Sequence, residues 1–237
     1  MRESHDILLE TVVQERDRML SRRGLLTGAA KLSLGGAAAV ALAGSPRVGG
    51  SAFAADATPV AAAPVTAATP VAGSDFGSDL DVLNYALTLE HLEYAFYRDG
   101  VKQYDLGKDA FGADIGKRLT EIRDHEKAHV DTLTKVIKGM NGTPVKEATY
   151  DFGYTDAKSF LATAAALENT GVMAYDGAGH YLKSADLLTA AGGIVAVEAR
   201  HASYLNLVTG AVPFPASFET PKTKAEILAI AGPFIKS

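Results

Sequence analysis

Apolar residues recur at alternating steps of four and three along four stretches of this chain, the seam of helices packed in a bundle. One stripe runs Ile115, Leu119, Ile122, Glu126, His129, Leu133, Val136 and Met140. A second runs Leu187, Ala191, Ile194, Glu198, His201, Leu205 and Val208. The other two are Leu83, Leu87, Glu90, Tyr94, Tyr97 and Leu161, Ala164, Glu168, Val172, Tyr175, Leu182. The pattern predicts helices over roughly 78–98, 110–139 and 156–183, and a fourth from a cap at Ser184 or Asp186 to about Thr209. Gly139 and Gly142 end the second helix, and Gly210 and Pro213 the fourth. A short amphipathic helix near 222–231 follows Pro221.

Loop lengths predict the topology. The link between helices three and four is a few residues long, so those two are antiparallel neighbours. About a dozen residues join helices one and two, which also suits an antiparallel hairpin. The connection Gly139–Thr155 is longer and broken by Gly142, Pro144 and Gly153. Extended, it reaches roughly 50 Å, more than the ~37 Å of a 25-residue helix. It can therefore run the length of the bundle and leave helices two and three parallel. The expected class is all-α: a four-helix bundle with one long crossover and a short C-terminal helix.

Each apolar seam is interrupted by acidic or imidazole side chains at a buried position. A carboxylate buried alone costs several kcal/mol unless it is compensated. Glu126-x-x-His129 and Glu198-x-x-His201 put Glu and His three apart, on one helix face. Glu90 and Glu168 are single. Leu89-Glu90 is followed by Tyr97 and Leu167-Glu168 by Tyr175, each Tyr seven residues after its Glu. Glu126 then comes 36 residues after Glu90, and Glu198 30 after Glu168. The chain reads as one hairpin used twice about a pseudo-twofold axis, converging four Glu and two His at mid-bundle. Four carboxylates match the charge of two divalent cations; without them they repel and some protonate. Glu93, one turn after Glu90, is a candidate for an extra or replacement ligand. Its counterpart in the second half is Gly171, so symmetry favours Glu90. His91 and His125 read as flanking surface residues or as residues that support the ligands, rather than as ligands; His180 lies outside the pattern and reads as structural or solvated.

The first 54 residues read as a targeting segment. Ser21-Arg22-Arg23-Gly24-Leu25-Leu26 resembles a twin-arginine export signal, followed by an apolar stretch and by Ala52-Phe53-Ala54, a peptidase-type site. Export with cleavage is favoured over retention as an anchor, since Lys31 and several glycines suit a permanent span poorly. Residues 55–76 form an Ala/Pro/Thr-rich tether, and 77–237 the bundle domain. Of 23 Lys+Arg and 28 Asp+Glu, 7 and 5 precede Ala55, which leaves the exported part at −7 and argues against nucleic acid as a partner. There is no cysteine. A metal would be held by carboxylate oxygen and imidazole nitrogen alone, which suit iron or manganese.

On these residues the region from Ser78 to about Gly210 resembles the ferritin-like di-iron carboxylate family, which takes a Glu from each of two helices and a Glu-x-x-His from each of the other two. The resemblance implies Glu90, Glu126, His129, Glu168, Glu198 and His201 as ligands of two metal ions, iron favoured and manganese the alternative. Tyr97 and Tyr175 resemble the tyrosines of ferritins and bacterioferritins, and stand either as core aromatics or as residues touching the ligands. The tail Pro213-Phe214-Pro215…Phe218-Glu219-Thr220-Pro221 is closer to exported ferritin-like proteins, the desiccation-related group included. The implied activity is oxidation of ferrous iron by oxygen or peroxide. The alternatives are a non-catalytic metal-binding or stress-protective envelope protein and a bundle without metal. The implied location is periplasmic or extracytoplasmic, reached through the twin-arginine machinery, and a homodimer along helices one and two is compatible with the pattern.

Overall fold

The computed structural model describes residues 75–236. The expected signal segment and residues 55–74 of the expected tether lie outside the described residues. Five α-helices follow in order: α1 (Asp79–Gly100), α2 (Ile115–Gly139), α3 (Ala157–Gly179), α4 (Ala185–Val208) and α5 (Lys224–Ala231), with a 3₁₀ turn at Gly232–Phe234. Among the described residues there is no strand, only two isolated bridges, Lys108–Asp114 and Tyr150–Ile235. No helix among them is long and apolar enough to cross a membrane. The all-α bundle with a short C-terminal helix is the architecture the periodicity predicts.

Each helix starts at a side-chain cap, which satisfies otherwise orphaned amides. Ser78, Asp114 and Ser184 accept from the backbone N–H three residues on, at Asp81, Lys117 and Leu187. Asp156 and Thr223 form reciprocal capping boxes with Ser159 and Glu226. The second helix starts five residues later than the periodicity suggests. Asp109 Oδ1 accepts from the amides of Phe111 and Ala113 (both 2.9 Å), and Gly112 takes a left-handed φ of 80°. That local turn outcompetes helix. The third helix ends at Gly179 rather than 183, where Tyr181 N and Leu182 N turn back onto the carbonyls of Ala178 and Gly179.

The crossover climbs α1 from one end to the other. Gly142 lies against Leu80. Val145 donates its N–H to Asn84 Oδ1 (2.7 Å), and its carbonyl meets His91 Nε2 (3.3 Å). Glu147 then pairs with Arg98 (2.7 Å), and Tyr154 reaches Gly100 and Phe160. Phe96 and Phe160 stack at 4.6 Å, with Phe152 and Tyr154 edge-on to Phe96. This aromatic cluster fixes the start of α3 beside the end of α1, so α3 runs back against α1 and parallel to α2. At the opposite end Asp79 accepts from the amides of Lys183 and Ser184 (2.8 and 3.2 Å), tying the α3–α4 link to the start of α1. Helices pack most closely within the hairpins α1/α2 and α3/α4, and α1 also meets α3.

Two apolar clusters make the core, and along α2 the site sits at the break between them. Along α2, Ile115, Leu119 and Ile122 belong to one and Val130, Leu133, Val136 and Ile137 to the other. Phe76, at the end of the expected tether, is buried in the first cluster against Tyr85 and Tyr181. After α4 the chain crosses α3, where Lys222 N donates to Met173 O (3.3 Å). It then pairs with the crossover through Asp151 N→Phe234 O and Lys236 N→Thr149 O.

Gly177 makes that crossing possible, because a Cβ there would overlap the Lys222 carbonyl. Gly192, in the exposed part of α4, has nothing within 4 Å of such a Cβ. Gly177→Ala is therefore expected to lower the unfolding free energy by about 1–3 kcal/mol, and Gly192→Ala to raise it by about 0.5–1 kcal/mol. Urea denaturation of both variants checks this; a neutral Gly177→Ala contradicts the packing.

Candidate metal centre

The mid-bundle positions converge as the repeat predicts. Glu90 from α1, Glu126 and His129 from α2, and Glu198 from α4 each offer a donor atom within 4.8 Å of the others. Glu126, Glu198, Glu168 from α3 and His201 from α4 form a second such group. Glu126 and Glu198 are common to both. Glu90, Glu126, Glu168 and Glu198 are all fully buried, and His201 nearly so.

The imidazole nitrogens are over-subscribed. His129 Nδ1 lies 3.1 Å from Glu90 Oε2, 3.0 Å from Glu126 Oε2 and 3.1 Å from Glu198 Oε1. His201 Nδ1 lies 2.9 Å from Glu126 Oε1, 3.2 Å from Glu168 Oε2 and 4.0 Å from Glu198 Oε2. One nitrogen carries at most one hydrogen, so it cannot serve three acceptors. Glu126 Oε1 and both oxygens of Glu198 are buried without a contact of hydrogen-bond geometry. Oxygen and imidazole donors crowded into two small groups, with acceptors exceeding protons, fit a pair of cations.

Tyr97 and Tyr175 touch the site crosswise. The Tyr97 hydroxyl, on α1, donates to Glu168 Oε1 on α3 at 2.6 Å. The Tyr175 hydroxyl, on α3, makes the reciprocal short bond to Glu90 on α1. Each half of the repeat thus orients the single Glu of the other half. Burial and then the Glu168 and Glu90 carboxylates hold both phenols protonated far above their ordinary range.

The histidines outside the predicted set divide clearly. His125 Nδ1 faces His201 Nε2 at 3.0 Å, with the rings stacked at 5.2 Å. It provides the partner that keeps the His201 Nδ1 edge turned to the carboxylates; its position one turn before His129 was the only sequence signal for this. His91 holds the crossover, and His180 caps α3 and packs on Tyr181. Glu93 is buried beside the groups without belonging to either. Asn169, next to Glu168, pairs with the buried Asn206 (2.9 Å) and locks α3 to α4.

Burial first, then neighbouring carboxylates, raises Glu93 and Glu198 well above the usual carboxylate range. Burial also brings Glu90 to about 7 from 4.5, although His129 opposes it. Burial pushes His129 and His201 down, but the facing carboxylates win and hold both well above the ordinary imidazole value. Glu126 alone moves the other way: burial raises it, and the two imidazoles outweigh burial.

Groups raised in the fold hold protons that the unfolded chain releases. The stability they carry is complete below their unfolded pKa and is lost as pH rises through the folded value. For Glu90 that window is 4.5 to about 7, on the order of 3 kcal/mol; Glu126 is lowered, so its own window lies below 4.5 and leaves this range unchanged. The metal-free protein should therefore melt lower at about pH 8 than at about pH 5.5. Added divalent cation should raise the melting temperature more at the higher pH, because binding displaces protons. A melting temperature in chelator that is flat or rises over this range would contradict the assignment.

Residues 78–211 match the ferritin-like domain family. A crystal structure of a conserved hypothetical protein from Mycobacterium tuberculosis is similar at 21% identity, with a TM-score of 0.47, over 58% of this chain and 94% of that one. No curated protein matches the chain. The family match spans more than half of the sequence and contains Glu90, Glu126, His129, Glu168, Glu198 and His201, and the chain belongs to the ferritin-like domain family.

Proposed function

We propose that this protein binds a pair of metal ions, iron by preference and manganese as the alternative, and oxidises ferrous iron with peroxide or oxygen. The observation that carries the reading is the pair of donor groups sharing Glu126 and Glu198. Two ions there would be held by Glu90, Glu126, His129, Glu168, Glu198 and His201, with Glu126 and Glu198 common to both groups. When bound as a ferrous pair, the ions supply two electrons at one place, the number that hydrogen peroxide takes up with two protons as its O–O bond breaks to give two waters.

The chain's own residues do the rest. Tyr97 and Tyr175 fix the Glu168 and Glu90 carboxylates, so each keeps its other oxygen turned to an imidazole. His125 steadies His201. The apolar clusters packed around the site keep bulk water out, which strengthens every electrostatic contact inside. Four ionised carboxylates balance two divalent ions.

The sequence further supports export. Arg22-Arg23 and the Ala52-Phe53-Ala54 site make the twin-arginine route, which carries folded proteins, the proposed path to an extracytoplasmic location. A metal held by the folded bundle would be acquired before export.

Anaerobic protein loaded with two equivalents of ferrous iron should oxidise it on addition of peroxide or oxygen, followed by stopped-flow absorbance. Glu126→Ala removes a carboxylate common to both groups and should reduce oxidation to the rate of free iron. Equal rates in the two proteins refute the oxidase. Tight metal binding without turnover would instead establish a metal-binding or stress-protective protein.

A further inference from the structure

The two halves of the repeat differ at one buried position inside the site. Glu93 follows Glu90 by three residues on α1; Gly171 follows Glu168 by three on α3. These positions face one another where α1 meets α3. A Cβ at Gly171 would lie 2.9 Å from Glu93 Oε1 and 3.4 Å from Glu198 Oε2. The glycine thus leaves a slot that the Glu93 carboxylate fills, and it fills it beside the carboxylate of Glu198. Glu93 is only 3% exposed, and Glu198 has two buried oxygens without hydrogen bonds. Beyond its burial, the carboxylates of Glu198, Glu168, Glu90 and Glu126, all in the two donor groups, disfavour a charge on Glu93.

A carboxylate does not fill such a place as a packing residue. Leucine or methionine would fill the slot at no electrostatic cost, whereas a fifth buried acid adds repulsion to four others. Binding a cation relieves that cost.

We propose that Glu93 is a seventh donor to the paired-metal site, seated in the slot left by Gly171, so that the site is asymmetric despite its repeated halves. This rests on the paired-metal reading above. Four carboxylates match two divalent ions. A fifth brings the donor charge to −5, which lies closer to the +6 of two trivalent ions than four carboxylates do. Glu93 would therefore favour retention of the oxidised pair.

The test uses cobalt(II) as the probe, because its visible absorption strengthens as coordination number falls. Wild-type protein is expected to bind two cobalt ions with weak, high-coordination bands. Glu93→Gln keeps the shape of the side chain and should still bind two. Its visible bands should intensify, and one of the two ions should bind about tenfold more weakly or worse. Gly171→Ala keeps the Glu93 charge but closes the slot, and should produce the same spectral change. Far-UV circular dichroism checks that both variants fold. Wild-type spectra and affinities in Glu93→Gln would overturn Glu93 as a donor and leave it sharing a proton with Glu198. A wild-type spectrum in Gly171→Ala alone would overturn the slot. If wild-type protein binds no cobalt, nickel or manganese, the paired-metal reading fails and this inference with it.

Discussion

Five carboxylates are buried within one cross-section of a four-helix bundle, and the rest of the molecule is arranged around that constraint. Two imidazoles reach four of the five, and neither can satisfy three acceptors with one hydrogen. Metal-free, the protein meets the constraint by keeping some acids protonated, Glu90 among them. Cations would meet it without that proton burden. The apolar core around the site can be well packed because the polar demand is confined to one layer.

Much of this was legible in the sequence because the physics is local or periodic. A helix returns to the same face every three or four residues, so Glu126 with His129 and Glu198 with His201 had to share a face. The crossover was legible from length alone, since 16 extended residues outreach a 25-residue helix. What was hidden depended on encounters across elements. His125 was legible as a residue beside the ligands, but not which ligand it serves, because its partner His201 lies on a helix far along the chain. The turn around Asp109 replaced the first residues of the expected second helix because side-chain acceptance of backbone amides leaves no hydrophobic trace. The role of Gly177 could not be read at all, since it depends on the Lys222 carbonyl. Glu93 was visible as an ambiguity, and its seat against Gly171 could be seen only from the face of α3 opposite it.

The halves are not independent modules. Tyr97 serves Glu168, Tyr175 serves Glu90, and both donor groups use Glu126 and Glu198. No single hairpin holds a complete donor set, so docking α1/α2 on α3/α4 and assembling the centre are one event. Cations that bind the centre would stabilise the contact between hairpins rather than either hairpin alone.

The crossover stitched along α1 joins two like hairpins in a single chain, and this has a consequence for symmetry. Two identical hairpins assembled as a dimer must present the same residue from both sides of their axis. Two glutamates there would collide, and two glycines would leave a void. Covalent fusion lifts that restriction. Glu93 can stand opposite Gly171 only because the two sides are encoded separately; one sequence thereby carries an arrangement that no homodimer of either half could reproduce.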